Sequence, residues 1–172
     1  LMSSFNKPLL IATGASNLDE VKKAMSVALE SSNNIILMQC NTNYTANKKE
    51  HISLTKERFL NINLKVLETF SKIWPEVALG LSDHTHGDLT VLGAVGLYNC
   101  SAVEKHFTLD NTKTGQDHPF SMMPEEWLSM VENTETLKKE IKKSDSFEKK
   151  CQKIKNIAKD GEFLHSIIGD GI

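Results

Sequence analysis

Residues 79–117 read LGLSDHTHGDLTVLGAVGLYNCSAVEKHFTLDNTKTGQD. Two short apolar runs, Val77–Leu81 and Ser101–Val103, each end in a polar cluster that contains a histidine. The clusters are Ser82-Asp83-His84 and Glu104-Lys105-His106, and Asp88–Leu97 between the runs is helix-like. The pattern is a βαβ unit with chemistry at the carboxyl end of both strands. In parallel α/β folds ligands bind at that end, because each strand stops there and its loop is free to carry function.

Upstream, Lys7–Ile11 is a β-like run. Asn17, with Glu20 three residues later, makes a capping box for a helix reaching about Ser31. Ile35–Gln39 is continuously apolar, as a strand buried on both faces requires, and leads into Cys40-Asn41-Thr42-Asn43-Tyr44. A second helix is expected over Leu54–Ser71, with Phe59, Leu60, Leu67 and Phe70 as core candidates and Pro75 as its stop. Downstream, the long loop Phe107–Met123 precedes a fourth helix opened by Pro124-Glu125-Glu126. Trp127, Met130, Val131 and Leu137 should form its buried face. Ser144–Lys159 reads as a basic, weakly amphipathic peripheral helix or linker.

The order is βα four times, an α/β chain. That is half of a (β/α)8 TIM barrel or a small open sheet. No GxGxxG or P-loop follows a strand, which weighs against a nucleotide-binding open sheet. Residues 1–143 are assigned to the partial barrel and 144–172 to a helical tail and the start of a linker.

The chain of 172 residues suits one domain, and 40% apolar residues suffice for a core. A net charge of −2 gives no electrostatic case for nucleic acid or an anionic membrane. No apolar run reaches the length of a membrane span, and the start is not a signal peptide. Three widely spaced cysteines without a CxxC pair suggest neither a disulfide framework nor a cysteine zinc site, so a reducing cytoplasm is the default. Leu1 and the closing Gly-Asp-Gly-Ile are read as cuts through a longer protein.

Each strand ends in a polar cluster, and in a barrel the four would face one cavity. Hydroxyls, amides and a lysine there suit a phosphate or carboxylate. Two histidines on adjacent strand ends, His84 and His106, suit a divalent metal. His86 is a rival ligand, but alternate residues of an extended segment point to opposite sides, so His86 is read as peripheral. Lys105 is either a buried cation paired with a carboxylate or a substrate binder. Glu104 is read first as a structural partner. Asp117 in the long loop is solvated unless the loop folds over the mouth. Cys40 has no evident base beside it and reads as a buried thiol. The paired lysines from Lys138 to Lys150 read as a solvated helix face.

At these residues the sequence resembles the sialic acid synthase family, N-acetylneuraminate synthase and its legionaminate, pseudaminate and spore-coat relatives. KPLLIATGAS, CNTNY, GLSDHTHG, AVEKHFTLD and GQDHPFSMMPEEW carry the resemblance, over roughly Lys7 to Leu137. It implies strands five to eight of a (β/α)8 barrel. It also implies a metal-dependent condensation of phosphoenolpyruvate with an N-acetylhexosamine aldehyde, giving a nine-carbon 2-keto acid and phosphate. The implied metal, Mn²⁺ or Mg²⁺, would be held by His84 and His106. Ser82 matches a phosphoenolpyruvate-binding serine, Asp117 an aspartate that meets the acceptor, and Tyr44 a tyrosine of the substrate loop. Candidate catalytic groups are Asp117, Lys105 and Glu104, and candidate substrate-binding residues are Thr13, Asn41, Thr42, Tyr44 and Ser82. Ala12 stands where many members have serine, and Thr42 where others have asparagine or serine. The family's amino-terminal half and its carboxyl-terminal domain, which reaches across a homodimer, have no counterpart here. The chain alone is therefore expected to be inactive or nearly so. The rival readings are a metal-dependent aldolase or lyase of another barrel family and a non-catalytic half-barrel module.

Overall fold

The computed structural model describes residues 2–5, 7–42 and 52–171. Four strands form one parallel sheet in chain order: β1 (Leu9–Ala12), β2 (Ile35–Cys40), β3 (Ala78–Asp83) and β4 (Ala102–Lys105). Helices α1 (Leu18–Leu29), α2 (Val66–Ile73) and α3 (Leu89–Tyr98) connect successive strands, and α4 (Pro124–Glu140) follows β4. Consecutive order with a helix after every strand is the arrangement of half a (β/α)8 barrel, as expected. An open nucleotide-binding sheet would reverse its order at a switch point.

The register sorts the strand residues onto two faces. Ala12, Met38, Gly80 and Ala102 lie in one row and Cys40, Ser82 and Glu104 in the next row on that face. Leu37, Leu79 and Leu81 point the other way and join Val21 and Met25 of α1, Phe70 of α2, Leu92 of α3 and Met130 of α4 in a single core. Asp83 and Lys105, adjacent in register, fall on this helix-covered face.

The capping box of α1 forms as read. Glu20 N–H donates to Asn17 Oδ1 (3.0 Å), and Asn17 N–H donates to Glu20 Oε2 (2.8 Å). Asn17→Ala should therefore lower the unfolding free energy by about 1 kcal/mol, measured by urea denaturation. An unchanged midpoint would show that the cap contributes nothing to α1.

The expected helix over Leu54–Ser71 is corrected. Only Val66–Ile73 is α-helical, preceded by short 3₁₀ turns at Ile52–Leu54 and Lys56–Phe59. Asn61 and Asn63 adopt left-handed backbone angles, φ 63° and 50°, which an α-helix cannot contain; asparagine is among the few residues that take them readily. The backbone then recruits distant partners, Leu64 N–H donating to Ile167 O (2.9 Å) and Lys65 N–H to Ile168 O (2.8 Å). In α4, Met130 and Leu137 are buried as expected, but Val131 is 49% exposed.

The segment after α4 folds into α5 (Phe147–Ile157) and α6 (Leu164–Ile168), and both pack on α3. Two glycines of α3 admit them. A Cβ on Gly96 would lie 3.0 Å from Ile154 Cδ1 of α5, and one on Gly93 would lie 2.9 Å from Ile167 Cδ1 of α6. Cys151 and Ile154 are buried beneath the basic face of α5. Among the described residues no helix is long and apolar enough to cross a membrane.

Candidate active site

The carboxyl ends of β3 and β4 enclose a small cleft of about 140 Å³ lined by Ser82, Asp83, His84, Glu104, Lys105 and His106. Each strand supplies three of these residues in sequence, so the parallel register alone brings them together.

His84 and His106 converge there. Their ring centroids are 5.2 Å apart with planes at 54°. A ring nitrogen about 2.1 Å from a shared ion puts each centroid roughly 3.2 Å from it. Ligand angles of about 90–110° then give centroids roughly 4.6–5.3 Å apart, a range that includes the observed spacing. His84 Nδ1 sits against the Asn41 carbonyl. A carbonyl only accepts, so Nδ1 carries the proton and Nε2 keeps a lone pair, the state a metal requires. Burial lowers the His84 pKa below its usual value; the Asn41 bond opposes that shift and the nearby His106 adds to it. Among the described residues no group of three or more His, Cys, Asp or Glu could hold a metal. The pair supplies two ligands, and the remainder must come from substrate, water or another segment.

Around the pair, Ser82 Oγ donates to Glu104 Oε1 across the strands (2.8 Å). Both sit on the face opposite the helices, where Glu104 is exposed. Cys40 lies beside them. Burial raises its thiol pKa despite a bond with Ser82, so it is a poor nucleophile. Asp117 is 59% exposed, with Oδ2 3.9 Å from His106 Nδ1. The long loop does bring this carboxylate to the histidines. Its two ends are joined by a β-bridge, Phe107 to Met122.

Lys105 takes the buried-cation alternative. Its Nζ donates to Asp83 Oδ2 (2.5 Å) and the Thr85 carbonyl (2.6 Å), and both side chains of the ion pair are at most 1% exposed. The strand pleat sends this ammonium to the helix side, where Asp83 and Thr85 hold it, although the residue borders the cleft. The Thr13 hydroxyl is likewise committed elsewhere, donating to the Met38 carbonyl (3.0 Å). Asn41 is buried, and among the described residues its Nδ2 meets no hydrogen-bond partner, which leaves a donor at the end of β2. Thr42 is exposed, with its methyl close to Gly14. Tyr44 lies outside the described residues.

The sequence reading missed one residue of this neighbourhood and the partners of another. Phe120, buried in a 3₁₀ turn of the long loop, packs edge-on against His106, centroids 4.9 Å apart. His86 lies outside the cleft, as read, but it is not idle: Nε2 meets Glu126 Oε1 at 2.6 Å, and Nδ1 lies 3.3 Å from the Phe120 carbonyl. The i, i+2 alternation places it outside the cleft lined by His84 and His106, but sequence spacing could not reveal a partner forty residues away.

Comparison with known proteins agrees with this architecture. The chain is 32% identical over 156 residues to the N,N'-diacetyllegionaminic acid synthase of Campylobacter jejuni, covering 87% of this chain and 43% of that protein. It is 34% identical over 131 residues to the enzyme of the same name from Legionella pneumophila, covering 73% of this chain and 33% of that protein. The crystal structure of spore coat polysaccharide biosynthesis protein SpsE from Bacillus subtilis superposes with a TM-score of 0.67 at 26% identity, over 99% of this chain and 42% of that one. The chain thus spans less than half the length of these relatives. A model of the NeuB family matches residues 1–146, and the chain belongs to that family.

Proposed function

We propose that this chain forms the carboxyl-terminal half of the barrel of a synthase that condenses phosphoenolpyruvate with an N-acetylhexosamine similar to N-acetylmannosamine. The products are a nine-carbon sialic acid-type 2-keto acid and phosphate. The observation that carries this reading is the pairing of His84 with His106 at the strand ends, beside Ser82 and Glu104, in a chain of the NeuB family.

The two imidazoles would hold a divalent ion, Mn²⁺ or Mg²⁺, which when bound supplies Lewis-acid polarisation of the acceptor aldehyde. Asn41 fixes the His84 ring through its backbone carbonyl, and its side-chain amide N–H, unpartnered among the described residues, is placed to donate to a substrate oxygen. Ser82 and Glu104 present a hydroxyl and a carboxylate to the centre of the barrel. Asp117 faces the same mouth from the loop and suits contact with a sugar hydroxyl. In the reaction, the phosphoenolpyruvate methylene carbon bonds to the aldehyde carbon, water adds its oxygen at C2, and phosphate leaves with the electron pair of its C–O bond. Lys105 acts from behind, locking the strand ends through Asp83. The full-length protein is read as a cytoplasmic homodimer.

Phosphate release tests the reading. A full-length form, with the chain extended to the length of its relatives, should release phosphate from phosphoenolpyruvate only with Mn²⁺ or Mg²⁺ and an N-acetylated hexose present. No release across a panel of such sugars would sink the proposal. Consumption of free pyruvate with the same sugars, in the absence of phosphoenolpyruvate, would support an aldolase instead.

A further inference from the structure

The loop of residues 107–123 carries Asp117 and the aromatic wall behind His106, yet its tip is exposed and polar. What holds it down is a short chain of contacts outside the cleft. Thr85 is fixed by Asp83, its N–H donating to Oδ1 (3.0 Å), and Gly87 turns the chain at φ +93°. His86 therefore stands on a constrained three-residue platform. Its two ring nitrogens face two acceptors, the Phe120 carbonyl in the loop and the Glu126 carboxylate in α4. The other oxygen of Glu126 accepts the Met123 N–H (2.8 Å), capping α4 where the loop ends. Phe120 then packs on the His106 ring, and the His106 carbonyl accepts Met122 N–H (3.2 Å).

We propose that His86 and Glu126 form a clasp that holds the 107–123 loop against the strand ends, and are thereby positioning residues for His106 and Asp117. Neither is a metal ligand nor lines the cleft. The contacts stand by themselves, while their bearing on metal binding rests on the function proposed above.

The test uses His86→Phe, which keeps a ring and removes both polar contacts, with the smaller His86→Asn should the first not fold. Hydrogen exchange of the full chain reads the loop through the amides of Thr108, Ser121 and Met122, all donors to loop or strand-end carbonyls. Loss of a charge-assisted bond should speed their exchange roughly tenfold, while amides in β1–β3 and α5 are unchanged. Adding Glu126→Gln, whose side-chain oxygen can still accept the Met123 N–H, should increase loop exchange no further, because His86 and Glu126 act as one unit in the clasp. In the full-length form the Mn²⁺ dissociation constant should rise roughly ten- to a hundredfold, with the unfolding midpoint little changed. Unaltered loop exchange in a folded variant overturns the clasp, and faster exchange with unaltered Mn²⁺ affinity overturns the positioning role. If the unsubstituted full-length protein binds no Mn²⁺, the metal reading fails, and the exchange result still decides the clasp.

Discussion

Replacing His84 with alanine in the full-length form is expected to lower phosphate release by roughly a thousandfold, with saturating Mn²⁺ failing to restore it. The figure follows from losing several kcal/mol of charge stabilisation at about 1.4 kcal/mol per tenfold in rate. Among the described residues His84 is one of two imidazoles in the cleft, and its contact with the Asn41 carbonyl puts a proton on Nδ1. The side chain is partly exposed, so the fold should survive its removal. His106→Ala should behave alike, and the double variant should be little worse than either single one, since an ion with one imidazole is already lost. A single variant that retains more than a tenth of the rate would remove the metal assignment.

The second large effect is on stability. Lys105→Met should lower the unfolding free energy of the chain by about 3–5 kcal/mol, because it strands the Asp83 carboxylate in a fully buried position. Asp83 would keep only its contacts with Thr85, whose N–H and hydroxyl each donate at 3.0 Å. Adding Asp83→Leu to Lys105→Met should recover much of the loss, since removing both charges removes the desolvation penalty. Urea denaturation of the two variants decides the matter. If Lys105→Met is as stable as the unsubstituted chain, the ion pair is not what joins the ends of β3 and β4. Asp83 and Lys105 each immediately precede a candidate ligand, so this pair also sets the separation of His84 and His106.

Much of the architecture was legible because the signals were local. The continuous apolar run Ile35–Gln39, the Asn17–Glu20 box and Pro124 at the head of α4 each declare themselves within a few residues. The approach of His84 to His106 was legible too, because equal positions at the ends of adjacent parallel strands must be neighbours. The role of Lys105 was available but left open. Ser82 and Glu104 share one face of the sheet and Asp83 and Lys105 the other, an alternation that the sequence contains once the register is fixed.

What stayed hidden depended on distant chain. The helix expected over Leu54–Ser71 ignored the bias of Asn61 and Asn63 toward left-handed angles, although those two residues were the available warning. The amphipathicity of α5 looked weak because its receiving surface is the glycine face of α3, which no reading of α5 alone can supply. His86 has a partner in α4 that spacing does not predict.

The bracket between Asn63 and Gly171 bears on how the molecule is made. Gly171 N–H donates to Asn63 Oδ1 at 2.9 Å and Asn63 Nδ2 donates to the Gly171 carbonyl at 3.3 Å, across 108 positions of chain. A ribosome adding about 5–20 residues per second leaves that bracket open for roughly 5–20 s after Asn63 is made. All of β3 and β4 is synthesised in this interval, while the turn before α2 waits for its closing partner. Through that interval α3 lacks the cover that α5 and α6 supply in the finished fold.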